Sequence, residues 1–485
     1  MLCSMHSNIN QACSLGGAMR LTIIGGGPGG HTAAFAAAKQ GMEVCLVESQ
    51  SIGGVCLNHG CIPTKTLRAS ADCALQVKRM AEFGIDGIEN ATVNMATIAK
   101  RKNAVRDILR TGLLKTCQNL KIRLINGRGR LLDSTHVHVT TKDGEEVLTT
   151  DRVILATGSV HMPVPECPVD HTAILDSNDA LDLTHLPKSM WVLGGGVIGC
   201  EMACIFKALG CDVTLVQRRP TLLASAHVDS DISTLIHREL RKQKITVLTE
   251  RTLEQVRVED GLVHGQVVAS KYAKAPVQAK EFATESLLVT VGRLPNTANL
   301  GLKEAGVAVD EKGWIKVNDC LETSLAGVYA IGDVLGPKHV MLAHVAAAEG
   351  LCALENIMGH KTPMGYDVVP AAIFTSPEVG YVGLSQEEAS KQGEIVAETF
   401  QMRELGKSQA QGDLPGFLKV VADAKTGRLL GAHMVGAHTT DMIAEAALAI
   451  KLKATVQDIA HTIHAHPTLS EGFYEAARLA YDDLR

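Results

Sequence analysis

Residues 20–49 read RLTIIGGGPGGHTAAFAAAKQGMEVCLVES, and residues 190–219 read MWVLGGGVIGCEMACIFKALGCDVTLVQRR. Each is an apolar strand, a glycine turn, an Ala- or apolar-rich helix and a second apolar strand. The turns carry Gly-x-Gly-x-x-Gly at Gly25, Gly27, Gly30 and at Gly194, Gly196, Gly199. Glycine at these places permits a tight turn, approach of backbone N–H groups to a pyrophosphate, and close helix–strand packing. One such turn is weak evidence; two, each inside a strand–helix–strand of the right length, define two dinucleotide-binding units. The second strands end at Glu48 and Gln217, each 18 residues past the third glycine. Glu48 is placed to accept hydrogen bonds from a ribose. Gln217 is not acidic, and Arg218 and Arg219 follow it.

Outward from these two units, the chain is 485 residues long, enough for roughly three domains. Its 47 Lys and Arg against 52 Asp and Glu leave a net charge of −5, and no basic run appears, which argues against a nucleic-acid surface. No stretch approaches 18 apolar residues, so no membrane span is expected. The first residues, MLCSMHSNINQACSLGGAM, lack a secretory pattern and are neither Arg-rich nor amphipathic. Residues 1–20 read as a disordered tail, with Met19 as an alternative start. Thirteen cysteines without a signal read as reduced thiols of a cytoplasmic protein, and most, Cys45, Cys200, Cys204 and Cys211 among them, as small buried hydrophobes.

DRVILATGS (151–159) is expected to return as a strand to the first unit, and SLLVTVGRLPNTANLGL (286–302) to run from a strand into a turn. From about 351, strand-like segments such as GFLKVVAD and RLLGAHMVG are followed by the helical TDMIAEAALAIKLKA. Strands then helices without a glycine turn suggest a separate α+β domain.

GGVCLNHGCIPTK (53–65) carries the chemistry. Cys56 and Cys61 begin soon after Glu48, close to whatever dinucleotide the first unit binds. Pro63 suits a first helical turn, so Cys61 is expected at a helix N-terminus, where the dipole favours a thiolate. Zinc would need two further ligands at metal-binding spacing, and none is near; no metal site is expected. This segment resembles the redox-active disulfide signature of the pyridine nucleotide–disulfide oxidoreductases, and the resemblance runs from about residue 21 to the C-terminus.

The resemblance implies an α/β fold of two Rossmann-like dinucleotide-binding domains plus a C-terminal α+β dimerisation domain. Its expected boundaries are 21–152 for FAD, 153–280 for NAD(P), 281–350 returning to the FAD and central region, and 351–485 for dimerisation. It implies a Cys56–Cys61 disulfide, Cys61 facing the flavin and Cys56 exchanging with substrate. Lys65 lies near the flavin ring and pairs with Glu201. FAD is held by Gly25, Gly27, Gly30, Glu48, Gly158 and Asp333 of YAIGDV (329–334); the nicotinamide cofactor by Gly194, Gly196, Gly199, Gln217, Arg218 and Arg219. In HAHPTLSEGFYEAA, His466 is the base and Glu471 the carboxylate that orients it; His464 and His59 are bystanders. The family is a homodimer whose C-terminal domain completes the partner's site.

CLNHGCIPTK and HAHPTLSE resemble the dihydrolipoyl dehydrogenase branch more than the glutathione reductases, which tend to carry Tyr where Val197 stands. AYDDLR, the C-terminus, lacks the cysteine pair of mercuric reductases. The branch implies a lipoyl-bearing protein, or a small dithiol or disulfide, as substrate. Gln217 with its arginines suits the 2′-phosphate of NADP, whereas the branch implies NAD. Two alternatives are an NADPH-dependent reductase of another disulfide and a flavin transhydrogenase or oxidase that leaves the disulfide unused.

Overall fold

The computed structural model describes residues 17–485 except Glu89 and His227. Most of the expected N-terminal tail, residues 1–16, therefore lies outside the described residues, and the first strand begins at Arg20. By contacts the chain forms two compact units, Met1–Ile62 with Ala104–Val160 and Arg293–Gly365, and Pro63–Asn103 with His161–Gly292 and Tyr366–Arg485. This division gives Pro63–Asn103 to the second unit, and helix Ala343–Ile357 runs across the boundary expected at 351.

The first unit is built on a seven-stranded sheet. Strands Val328–Ala330, Arg152–Leu155, Arg20–Ile24, Glu43–Glu48 and Arg123–Leu131 pair in parallel in that order. His136–Thr141 and Gly144–Thr149 extend the last strand as an antiparallel meander. The central strands are continuous apolar runs, with Ile23, Leu46, Val153, Ile154 and Leu155 buried, as parallel strands covered on both faces must be. Helix Pro28–Lys39 starts with Gly27 as its cap and Pro28 in the first turn, where a missing N–H costs nothing. Its small residues permit close approach to helix Ala343–Ile357: a Cβ on Gly29 would lie 2.8 Å from the Ala346 carbonyl oxygen, and one on Gly350 would lie 2.7 Å from that of Gly29.

In the second unit the second glycine turn opens from a parallel sheet of Thr246–Thr249, Asp212–Gln217, Ser189–Leu193, Ser286–Val289 and Ile174–Leu175. A three-stranded antiparallel sheet, Arg251–Glu259, Leu262–Ala269 and Lys280–Thr284, accompanies it. After residue 366 an antiparallel sheet forms in the order Ala371–Ile373, Glu378–Gly383, Leu429–Gly436, Phe417–Asp423, Ile395–Gln401. Helices Thr439–Lys451 and Glu471–Asp483 supply Ile443, Ala446, Phe473, Ala476 and Ala480 to a core with Leu418, Val420 and Met434 of that sheet. The expected class, two dinucleotide-type α/β parts and a C-terminal α+β part, is the fold found.

Candidate active site

At the first glycine turn the chain reverses within a few residues because Gly25 adopts φ 109°. A Cβ there would sit 2.2 Å from the Ala156 carbonyl oxygen, and a Cβ on Gly30 would sit 1.9 Å from that of Gly25. At Gly27, the helix cap, a Cβ would meet nothing within 4 Å. At the start of helix Pro28–Lys39 there is therefore room beside Gly27 where a side chain would stand. Glu48, at the end of its strand, braces the turn: Oε2 accepts the Gly26 N–H at 2.7 Å and Oε1 accepts the Gln50 N–H at 2.8 Å. Gly158 has φ 71° and open space where a Cβ would be. Asp333 accepts the Ser159 hydroxyl at 2.6 Å, and Arg293 donates to the hydroxyl and carbonyl oxygens of Ser159 at 2.6 and 2.7 Å. No sequence motif marks Ser159 or Arg293.

The cysteines occupy two successive helices. Cys56 lies inside the short helix Gly54–His59 and is half-buried; Cys61 is exposed and is the first residue of helix Cys61–Val77. The helix start expected at Cys61 is the one found, and its N–H groups and dipole favour a thiolate there. Asn58, also not singled out beforehand, latches this segment. Its amide nitrogen donates to the carbonyls of Ser51, Ile52 and Gly54 at 3.2, 3.1 and 2.9 Å. Two buried side-chain oxygens of this unit, Asn58 Oδ1 and Thr157 Oγ1, have no hydrogen-bond partner, a state that native interiors rarely keep without a ligand or water. Open helix terminus, braced carboxylate and orphaned polar atoms together fit a bound flavin dinucleotide.

The second turn repeats the first. Gly194 has φ 117°, and its Cβ would lie 2.5 Å from the Thr290 carbonyl oxygen; a Cβ on Gly199 would lie 1.8 Å from that of Gly194; Gly196 faces open space. This cradle fits a second dinucleotide. Gln217 is buried, and its amide nitrogen donates to the Thr221 carbonyl at 3.1 Å. Arg218 is exposed, and the Arg219 guanidinium lies 5.6 Å from the Tyr272 ring centre. A cavity of about 560 Å³ between Pro220–Leu222 and helix Ser230–Lys242 holds none of the motif residues. Its Arg241 and Lys242 stand in the last turn of that helix, where cations complement the dipole.

Glu201, on helix Val197–Leu209, is 4% exposed. Its carboxylate takes both bonds from the Lys65 ammonium, at 2.9 and 3.2 Å. Lys65 follows Cys61 by four residues on one helix, so the two share a face. Further along this unit, His466 Nδ1 lies 2.8 Å from Glu471 Oε1, while Glu471 Oε2 accepts the Thr468 N–H at 2.8 Å. The Thr468 N–H, and after it the His466 ring, hold the Glu471 carboxyl below its ordinary range in spite of the opposing effect of burial. The imidazole is 77% exposed, so its far edge is open to a reactant. His464 is instead engaged by Glu445 at 3.0 Å and the Thr462 carbonyl at 2.9 Å.

His171, Asp176 and Asp179 cluster closely enough to suggest a cation, but hydrogen bonds account for them. Asp176 caps helix Ser177–Asp182, and Asp179 receives the Asp176 N–H and faces His171 at 3.0 Å. Among the described residues no helix is long and apolar enough to cross a membrane.

Two dinucleotide cradles with a cysteine pair beside the first define a two-cofactor oxidoreductase. The sequence profile of the pyridine nucleotide–disulphide oxidoreductases matches residues 19–350, and that family's dimerisation domain matches residues 369–477. The chain belongs to this family, whose members are FAD-dependent oxidoreductases working with a nicotinamide dinucleotide. It is 38% identical to a dihydrolipoyl dehydrogenase of Chlamydia pneumoniae, over 94% of this chain and 96% of the relative. It is 36% identical to the mitochondrial dihydrolipoyl dehydrogenase of Sus scrofa, over 94% and 89%. Among solved structures it is similar to LpdA from Mycobacterium tuberculosis, with TM-score 0.87 and 26% identity over 95% and 99% of the two chains. It is also similar to the HOCl-induced flavoprotein disulfide reductase RclA from Escherichia coli, with TM-score 0.83 and 26% identity over 95% and 99%.

Proposed function

We propose that the chain is a dihydrolipoyl dehydrogenase, oxidising a dihydrolipoyl dithiol through a Cys56–Cys61 disulfide. The observation that carries this reading is the His466–Glu471 pair at 2.8 Å, because proton transfer to and from a dithiol needs a base with one exposed nitrogen. One substrate thiol gives its proton to His466 and attacks Cys56, breaking the disulfide and leaving Cys61 as a thiolate. The second substrate thiol closes the substrate's own disulfide, releasing Cys56. Glu471 holds the imidazole through Nδ1, so that Nε2 faces the reactant. FAD, when bound, would supply two-electron chemistry linking the reduced cysteines to the nicotinamide. Gly25, Gly27, Gly30, Glu48, Gly158 and Asp333 would hold it; Gly194, Gly196, Gly199 and Gln217 would hold the second dinucleotide. Each half is reversible, so the redox poise sets the direction.

The pair lies within the dimerisation-domain match, and Leu448, Leu452 and Ile463 of that region are 60%, 70% and 96% exposed. Exposed apolar side chains grouped in one domain suit a self-complementary twofold surface. The reading is therefore a homodimer in which His466 serves the partner's cysteines. The substrate is the lipoyl group of a carrier protein, and a reducing compartment such as the cytoplasm suits the buried thiols of Cys117, Cys167, Cys200, Cys204 and Cys211. A second reading, an NADPH-dependent reductase of another disulfide, is favoured by Gln217 and Arg218.

Steady-state rates with dihydrolipoamide and with glutathione disulfide, each against both nicotinamide cofactors, separate the two. Turnover with dihydrolipoamide at least about 100-fold above that with glutathione disulfide is expected, a ratio proper to a site shaped for its substrate; the reverse ratio rejects the reading.

A further inference from the structure

The family resemblance places Lys65 near the flavin ring and pairs it with Glu201, and a third residue touches both. Phe374 follows strand Ala371–Ile373 at the start of the dimerisation-domain match, far in sequence from both. Its backbone is fixed at both ends. The N–H donates to Glu201 Oε1 at 2.9 Å, and the carbonyl accepts from Arg68 Nη1 at 3.1 Å. Arg68 stands three residues after Lys65 on helix Cys61–Val77 and is itself held by Asp72 at 2.8 Å. With its backbone so pinned, the half-buried ring presents its face to the Lys65 ammonium, 4.2 Å from the ring centre. Glu201 thus has two donors and Lys65 two partners, a carboxylate and an aromatic face.

A carboxylate alone leaves a long lysine side chain several rotamers. A ring face at 4.2 Å adds an attraction that is strongest where water is partly excluded, and the Lys65 side chain is 32% exposed.

We propose that Phe374 is a positioning residue for the Lys65–Glu201 pair: its ring fixes the ammonium by a cation–π contact, and its N–H fixes the carboxylate. The first strand of the dimerisation region thereby sets the charge that acts on the flavin. This rests on the reading that Lys65 lies by the flavin, and on nothing at the cysteines or at His466.

The test keeps the shape of the ring and removes its quadrupole. Fluorinated phenylalanines of increasing fluorine content at position 374, together with Phe374→Tyr and Phe374→Met, are compared in FAD-loaded enzyme by flavin midpoint potential, and by 13C NMR of reductively methylated Lys65 in apoprotein. Stepwise fluorination should move the potential progressively negative and increase the mobility of the labelled amine, with turnover falling about 3- to 30-fold across the series. Phe374→Tyr should behave as wild type and Phe374→Met as the most fluorinated ring. An unchanged potential and amine signal across the fluorinated series overturns the proposal. Lys65→Met is the control. If it shifts the potential and the fluorinated series does not, Phe374 alone is wrongly assigned. If Lys65→Met leaves the potential unmoved, the placement of Lys65 by the flavin falls, and the proposal with it.

Discussion

The two glycine turns share one backbone design and differ where the second strand ends. In both, the third glycine packs so tightly that a Cβ would overlap the first glycine's carbonyl, at 1.9 Å for Gly30 and 1.8 Å for Gly199, while the middle glycine faces open space. Beyond that point they diverge. Glu48 turns back onto its own turn and accepts the Gly26 N–H, so a charge is held where a ribose would lie. The Gln217 amide nitrogen instead donates to the Thr221 carbonyl, and arginines follow it. One fold thus makes an acidic and a non-acidic cradle, and the terminal side chains differ in which backbone group they satisfy.

The largest effect should separate the cradles outright. Gly30→Ala forces a backbone overlap in the first unit and should give protein without flavin, destabilised by about 1–3 kcal/mol or more. Gly199→Ala, destabilised to a similar degree, should stay yellow and lose nicotinamide binding. Flavin absorbance and NADH titration of both variants check this; a colourless Gly199→Ala with a yellow Gly30→Ala would invert the assignment.

Exchanging the terminal side chains should sharpen the contrast. Glu48→Gln removes a charge-assisted bond worth about 1.5–3 kcal/mol and should weaken FAD retention about 10- to 100-fold. Gln217→Glu cannot donate to Thr221, so it should cost about 0.5–1.5 kcal/mol of stability, while shifting preference toward NAD(H) by repelling a 2′-phosphate. Flavin release and the ratio of kcat/KM for the two cofactors measure these changes; an unmoved ratio means that Gln217 does not contact the cofactor.

The smallest effect concerns Arg218 and Arg219. Replacing both with Ala should raise KM for NADPH about tenfold and leave KM for NADH unchanged, the expected loss of one charge-assisted contact. Arg219 already lies against Tyr272, so Arg218 should carry most of the change. Unchanged KM for NADPH would make both arginines solvated surface charges.

Both cradles were legible in the sequence because their geometry is local: the Gly25–Gly30 and Gly194–Gly199 overlaps span five residues each. The helix start at Cys61 was legible for the same reason, through Pro63. What escaped was long-range or weakly patterned. Phe374 acts on residues 65 and 201, and Arg293 reaches Ser159 across 134 positions; no spacing rule connects them. Strand Ile395–Gln401 is half-buried throughout and shows no alternation, and helix Met95–Asn119 is largely polar, so neither announced itself by period. The position of Gln217 at the strand end points to a cofactor contact, and its bond to Thr221 is a competing use of its amide that the sequence does not show.

Electrons are proposed to enter at Cys56 and Cys61 and to leave through the second cradle, two ends that can be cut apart. The most direct measurement is anaerobic rapid mixing of Cys56→Ser enzyme, first with dihydrolipoamide and then with NADH, following flavin absorbance. NADH should still bleach the flavin of the variant while dihydrolipoamide leaves it oxidised, whereas the wild-type flavin spectrum should respond to both. Bleaching of the variant by dihydrolipoamide at the wild-type rate would contradict this route.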